Sequence, residues 1–189
     1  GKAHVLMWKK LLPTAIHTMD FFGLNYYTRN VVTFDITKPK ELFYRFSMPE
    51  NAQLSENKFI AHIPEAILSA IQWARRYHLP IYITENGIED SKDSLRPRFI
   101  IENLRQVWKA VNFNWNVKGY FHWSQVDNFE WERGWSQRFG LWGLNVETQE
   151  RIHRKSVDVY ASICKENGIT SEMVEKYVPE ILSTIFPGF

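Results

Sequence analysis

The chain has 189 residues, enough to bury a substantial core. Its 44% hydrophobic and 23% charged residues are ordinary for a globular protein, and no apolar run approaches the length of a membrane span. A net charge of +2, from 23 basic and 21 acidic residues scattered along the chain, offers no basic footprint for a nucleic acid backbone.

In chain order, Gly1 is followed by the short apolar run Ala3 to Trp8 and then Lys9-Lys10, which does not read as a signal peptide. Residues 21–27, Phe-Phe-Gly-Leu-Asn-Tyr-Tyr, are apolar on both faces and predict a buried parallel strand. Residues 35–58, with Pro39, Pro49 and scattered charges, read as a long surface loop. A helix is predicted from Pro64, with Ile67, Leu68, Ile71 and Ala74 on one face and an end at Leu79-Pro80. Ile81 to Thr84 reads as a second buried strand, stopped by Asn86-Gly87. Pro97 opens a second helix with Ile100, Leu104, Val107 and Val111 on its apolar face. Tyr120 to Trp123 reads as a third strand, and a loop dense in Asp, Glu, Trp and Arg runs on to Gly140. From Ser156 to Ile185 the chain carries one clear helix and a second segment interrupted by Pro179. The lone Cys164 cannot form an intrachain disulfide, which points toward a reducing, cytoplasmic setting. It is expected to pack in that helix on a face shared with Val157, Tyr160 and Ala161.

Strands alternating with helices at crossover spacing predict an α/β unit with a parallel sheet. The polar clusters fall after the strands, where a barrel of alternating strands and helices places its active site. Asn25 and Tyr27 follow the first strand, Glu85 and Asn86 the second, and Trp123, Asp127, Glu130 and Trp131 the third. A carboxylate just past a buried strand costs desolvation energy unless it is hydrogen-bonded or used. Taken alone, Glu85 reads as a loop residue, Trp123 as a core aromatic, and Glu130-Trp131 as a solvated pair or a salt bridge to Arg133 or Arg138. Asp127 and Glu132 read as surface groups. The six His show no metal-ligand spacing and no glycine-rich nucleotide loop occurs, so neither a metal nor a cofactor is expected.

The runs Asp20 to Arg29, Ile83-Thr-Glu-Asn-Gly87, Val117 to Trp131, Arg138-Phe-Gly-Leu141 and Glu147 to Ile152 with Lys155-Ser156 occur in that order. Together they resemble glycoside hydrolase family one over about Asp20 to Gly168. The resemblance implies the C-terminal part of a (β/α)8 barrel, with residues 1–189 as a portion of one barrel domain. It implies Glu85 as the nucleophile of a retaining β-glycosidase acting on β-glucosides or β-galactosides. Tyr27 matches the tyrosine that donates to the nucleophile, Asn25 the asparagine at the sugar 2-position, and Trp123 the aromatic floor of the glycone site. Glu130 and Trp131 match the pair that reads distal hydroxyls, with Phe139 as a wall.

In the branch of the family that acts on 6-phosphorylated sugars, the Glu130 position is a small polar residue backed by Lys and Tyr. Glu130, Gln137 and Phe139 stand here, so the resemblance implies a non-phosphorylated glycone. Departures from the family pattern are Phe22 for a smaller aliphatic, Gln125-Val126 for a more apolar pair, and Asn145 for Asp; residues 169–189 resemble tails of thermophilic archaeal members. Retaining hydrolysis also needs a second carboxylic acid, found in the family in an Asn-Glu-Pro run, and that run is absent here. The expected partners are therefore a small β-glycoside and the N-terminal half of the barrel, supplied by another chain or segment, with a homo-oligomer as a further expectation. The alternative is a non-catalytic sugar-binding fragment or pseudo-enzyme.

Overall fold

A computed structural model describes residues 18–188; the apolar run Ala3 to Trp8 and Lys9-Lys10 lie outside the described residues. Strands β1 (Phe22–Asn25), β6 (Ile81–Asn86) and β7 (Val117–His122) form a parallel sheet in the order β1-β6-β7. Two hairpins intervene between β1 and β6: β2 (Val31–Phe34) with β3 (Tyr44–Ser47), and β4 (Gln53–Leu54) with β5 (Ala61–His62). Helix α1 (Glu65–Ala74) precedes β6, and α2 (Arg96–Asn112) connects β6 to β7. Sequential strands are thus spatial neighbours joined through helices, the arrangement of consecutive units in a (β/α)8 barrel.

One face of this sheet packs on the helices. Ile81 and Ile83 of β6 meet Ile67, Ile71 and Ala74 of α1 and Val107 and Ala110 of α2, with Phe22, Leu24, Val117 and Tyr120 beside them. Ile83 is fully buried, and burial of such a side chain contributes about 1.5–3 kcal/mol. The opposite face is open. Gly23 and Asn25 are exposed there, and Phe21 and Phe121 keep about half of their surface in solvent. This corrects the expectation of a strand over residues 21–27 buried on both faces: α1 and α2 cover only one side of β1.

Helix α2 belongs to three cores. Its first turn, through Phe99 and with Leu95 just before it, packs with Ile60, Ile88 and Phe139, and its last turns enter the sheet core through Val107 and Ala110. Ile100 and Ile101 join the C-terminal helices α3 (Lys155–Glu166), α4 (Ser171–Tyr177) and α5 (Leu182–Ile185) through Val159, Ile163, Val174 and Ile185. Val111, expected on the apolar face, is half exposed, because the buried arc runs through Phe99, Asn103, Gln106 and Ala110 instead. The buried face of α3 is Ser156, Val159 and Ile163, so Cys164, one residue further round, is exposed rather than packed with Val157 and Ala161.

Residues 35–58 are not an irregular loop. Phe34 pairs with Tyr44 and Val31 with Ser47, and Pro39 sits in the turn between them. This hairpin keeps Val31, Val32, Phe34 and Phe46 exposed, so it lacks the apolar and polar alternation that marks a half-buried strand. A short hairpin, β8 (Gly143–Leu144) with β9 (Arg151–Ile152), closes the loop after β7, and Asn145 accepts the Glu147 and Thr148 amides in its turn. Among the described residues no helix is long and apolar enough to cross a membrane.

Candidate active site

The C-terminal ends of β1, β6 and β7 converge on Asn86. Its buried side chain donates to the Tyr26 carbonyl at 2.8 Å and accepts from the Tyr120 hydroxyl at 2.8 Å, while its carbonyl accepts the Trp123 amide at 2.9 Å. One residue therefore ties all three strand ends together. Both ladders slip here, between Leu24 and Asn25 and between Ile83 and Asn86. Irregularities of this kind re-aim side chains next to functional sites. Glu85 consequently meets Tyr27, whose hydroxyl donates to Oε2 at 2.6 Å, and Asn25 accepts from the neighbouring Thr84 hydroxyl at 2.6 Å. Gly87 allows the closest approach: a Cβ there would lie 1.8 Å from the Trp123 carbonyl oxygen.

Trp123 follows β7 and packs, with Tyr27, against the core of Ile60, Ile88, Leu95, Phe99 and Phe139. Its indole N–H donates to Glu130 Oε1 at 3.1 Å, and Asn128 donates to the same oxygen at 2.7 Å. Phe139 is buried, edge-on to the Tyr27 ring at 6.0 Å, and is held there because residues 124–127 run alongside 139–142. Glu85, Tyr27, Trp123, Glu130 and Phe139 therefore form one continuous cluster, and Asn25 borders it as the register partner of Glu85. Trp131 stands apart, 81% exposed. Glu130 forms no ion pair with Arg133 or Arg138: Arg133 lies over the Phe59 ring, and Arg138 lies 3.7 Å from Asp127.

Burial, the hydrogen bond to Glu85 and the negative charges of Glu85 and Glu130 all push the Tyr27 hydroxyl far above its ordinary range. Tyr27 is thus held protonated, as a donor to Glu85. Burial also pushes Tyr120 up, fixing it as a donor to Asn86. At the end of β7, burial and the nearby Arg96 charge push His122 down to about 3, so it stays neutral.

Buried ion pairs hold the loops that carry these groups. Asp90 caps α2 by accepting the Leu95 and Arg96 amides at 2.7 and 3.0 Å. Arg96 pairs with Asp93 and donates to the Asp90 and Arg138 carbonyls, joining the loop after β6 to the loop after β7. Asp127, expected at the surface, is almost fully buried. Its two oxygens accept Arg154 at 2.9 and 3.0 Å, and the Gly140 and Leu144 amides at 2.9 and 3.2 Å. Gly140 is required at this junction, since a Cβ would lie 2.1 Å from the Asp127 amide nitrogen.

A family model described as Glycosyl hydrolase family 1 matches residues 9–169. The chain belongs to glycosyl hydrolase family 1. It is 39% identical over 172 residues to a β-galactosidase of Pyrococcus woesei, covering 83% of this chain and 34% of the relative. It is 36% identical over 163 residues to β-glucosidase A of Thermotoga maritima, covering 80% of this chain and 35% of that protein. Among solved structures, a β-glycosidase from Pyrococcus horikoshii superposes with a TM-score of 0.77 at 38% identity, over 84% of this chain and 37% of that one. A family 1 β-glucosidase from Thermotoga maritima superposes with a TM-score of 0.74 at 33% identity, over 80% and 36%. The chain spans about a third of the length of these relatives, and its fold is part of the family 1 (β/α)8 barrel.

Several residues that shape this cluster were not singled out from the sequence. Asn86 was noted only as the neighbour of Glu85, yet it joins the three strands. Asn128 and Tyr120 sit inside the matched run Val117 to Trp131, and a polar residue two positions before Glu130 was the available signal for Asn128. Arg154 carried no local signal, because its partner Asp127 lies 27 residues away, and the Asp93–Arg96 pair sits in an unremarkable polar turn whose contacts with Arg138 and Ser156 are distant.

Proposed function

We propose that the complete protein to which this chain belongs is a retaining β-glycosidase acting on non-phosphorylated β-glucosides or β-galactosides. The observation that carries this reading is the 2.6 Å hydrogen bond from the Tyr27 hydroxyl to Glu85 at the strand ends, in contact with the cluster that holds Trp123 and Glu130. Glu85 attacks C1 of the bound sugar, the C1–O bond to the aglycone breaks with its electron pair leaving on oxygen, and a glycosyl ester forms. Water then displaces the ester and regenerates the carboxylate. Tyr27 orients the attacking carboxylate through its donated proton. Asn25 meets the 2-hydroxyl, where contacts strengthen as positive charge develops at C1. Trp123 stacks on the apolar face of the ring. Glu130 and Trp131 take the distal hydroxyls, and Phe139 backs the pocket. The names of the Pyrococcus and Thermotoga relatives support this substrate class.

The residue that protonates the leaving oxygen comes from the rest of the barrel, together with the strands that cover the open face bearing Phe21 and Phe121. This chain is thus a portion of one barrel domain, and its lone, exposed cysteine favours a cytoplasmic setting. NMR of the first-formed sugar tests the reading. The complete protein is expected to release the β-anomer from an aryl β-glucoside before mutarotation; initial release of the α-anomer would refute retention.

A further inference from the structure

Segment 55–61, the turn of the β4–β5 hairpin, has no place in the chemistry above, yet it contacts the loops that follow all three sheet strands. Toward the loop after β1, the Ala61 amide donates to the Thr28 hydroxyl at 2.9 Å. Toward the loop after β6, the Ser55 hydroxyl bonds the fully buried Glu89 carboxyl, which the Asn57 and Phe59 amides also face. Glu56 answers from the other side by accepting the Ser91 amide and hydroxyl, each at 2.8 Å. Toward the loop after β7, the Phe59 ring lies under the Arg133 guanidinium, 4.6 Å from its centroid, and Asn57 donates to the Ser136 carbonyl at 3.4 Å.

The turn is itself stiff. Ser55 and Ile60 pair through the Ser55 amide at 2.8 Å, the Ser55 oxygen also accepts the Phe59 and Ile60 amides, and Ile60 is fully buried beneath Tyr27 and Trp123. On its far side, Arg133 closes a tight turn with Glu130, its amide donating to the Glu130 carbonyl at 2.8 Å. Whatever fixes Arg133 therefore fixes the residue two positions from the exposed Trp131 and three from Glu130.

We propose that segment 55–61 is a brace that sets the loop 129–136 relative to β6, with Phe59 and Asn57 as positioning residues for Glu130 and Trp131. Its two rigid anchors are Glu89 on the Glu85 strand side and Ile60 in the core. Its adjustable end is the Phe59–Arg133 contact, where both side chains are partly exposed. Removal of that contact loosens the sugar-reading loop while leaving the Tyr27–Glu85 pair in place. The inference deepens the glycosidase reading, on which its kinetic part rests.

The test uses the complete protein and the variants Phe59→Ala, Phe59→Trp, Arg133→Met and Phe59→Ala with Arg133→Met. In Phe59→Ala, amide hydrogen exchange over 129–136 is expected to speed about fivefold, the equivalent of a lost exposed cation–π contact, while exchange over 81–86 holds. KM for an aryl β-glucoside rises about fivefold by the same conversion, and kcat stays within about twofold. Phe59→Trp, whose ring suits a guanidinium best, keeps the parental values. The double variant matches Phe59→Ala, because both changes remove one contact. Parental exchange over 129–136 in Phe59→Ala, or additive effects in the double variant, would overturn the brace. If Phe59→Ala loosens the whole chain, the exposed-side Arg133→Met variant decides: faster exchange confined to 129–136 supports the brace and parental exchange overturns it. Exchange does not depend on turnover, so a parent protein inert toward aryl β-glycosides would sink the glycosidase reading and leave the brace to be judged by exchange alone.

Discussion

In the complete protein, Glu85→Ala is expected to lower kcat on an aryl β-glucoside by at least ~10⁴-fold, as removal of a covalent nucleophile does. The folded state survives, since Glu85 is half-buried at a strand end and its backbone still accepts the Tyr26 amide. Tyr27 also keeps its packing against Phe139. The vacated volume beside the Tyr27 hydroxyl then admits a small anion. Millimolar azide is expected to restore turnover on a substrate with an activated leaving group, its nitrogen bonding to C1 from the face Glu85 occupied and the phenolate departing with the electron pair. The product is the α-glycosyl azide. Parental kcat in Glu85→Ala would assign the chemistry to another group, and a variant equally slow but deaf to azide would fit a merely structural carboxylate.

The largest expected change in stability is at Asp127. Its carboxylate is almost fully buried, grips Arg154 with both oxygens and takes two backbone amides, so Asp127→Ala leaves the Arg154 guanidinium without its countercharge, still donating to the Gly140 carbonyl, and strips the Gly140 and Leu144 amides of their acceptor. Breaking a buried pair from one side costs about 3–5 kcal/mol, far more than the net worth of the intact pair. A denaturant titration of the complete protein should show a correspondingly lower midpoint, whereas Glu132→Ala, at a side chain 82% exposed, should stay within about 0.5 kcal/mol of the parent. Equal midpoints for the two variants would mean that the Asp127 network contributes nothing to holding the loop after β7.

The contrast between these two acids shows what a sequence discloses. Asp127 and Glu132 sit five residues apart in the same polar run, and both read as surface groups. What separates them is Arg154, 27 positions away and brought back by the β8–β9 hairpin. Local pattern cannot report a partner at that distance. By contrast, α1, β6 and α2 were legible because each buries apolar residues at regular spacing, and β7 because Val117 and Tyr120 lie beside the same core as β6. The β2–β3 hairpin was not, since its Val and Phe residues face outward and carry no stripe.

The site divides in the same way. Tyr27, Glu85, Trp123, Glu130 and Phe139 were found because the matched runs carry them, and they meet in one cluster. Trp131 was carried by the same runs yet projects into solvent; its proposed role needs the covering part of the barrel. Asn86, between the two most conspicuous residues of its run, holds the strand ends through a carbonyl and a hydroxyl on separate strands. Only the parallel register brings those groups to it. The same is true of the ladder slips that turn Glu85 toward Tyr27, which follow from strand pairing and not from any residue type.

Trapping the intermediate tests the role of Glu85 most directly. A 2-deoxy-2-fluoro-β-glucoside with a dinitrophenolate leaving group slows both steps through the electron-withdrawing fluorine, while the leaving group rescues only the first, so the glycosyl ester accumulates. After tryptic digestion of the complete protein, the peptide Tyr77 to Lys92 is expected to carry one fluoroglucosyl group, with fragmentation placing it on Glu85. An inactivated protein labelled on a different carboxylate, or a protein that binds the reagent and is never labelled, would contradict that role.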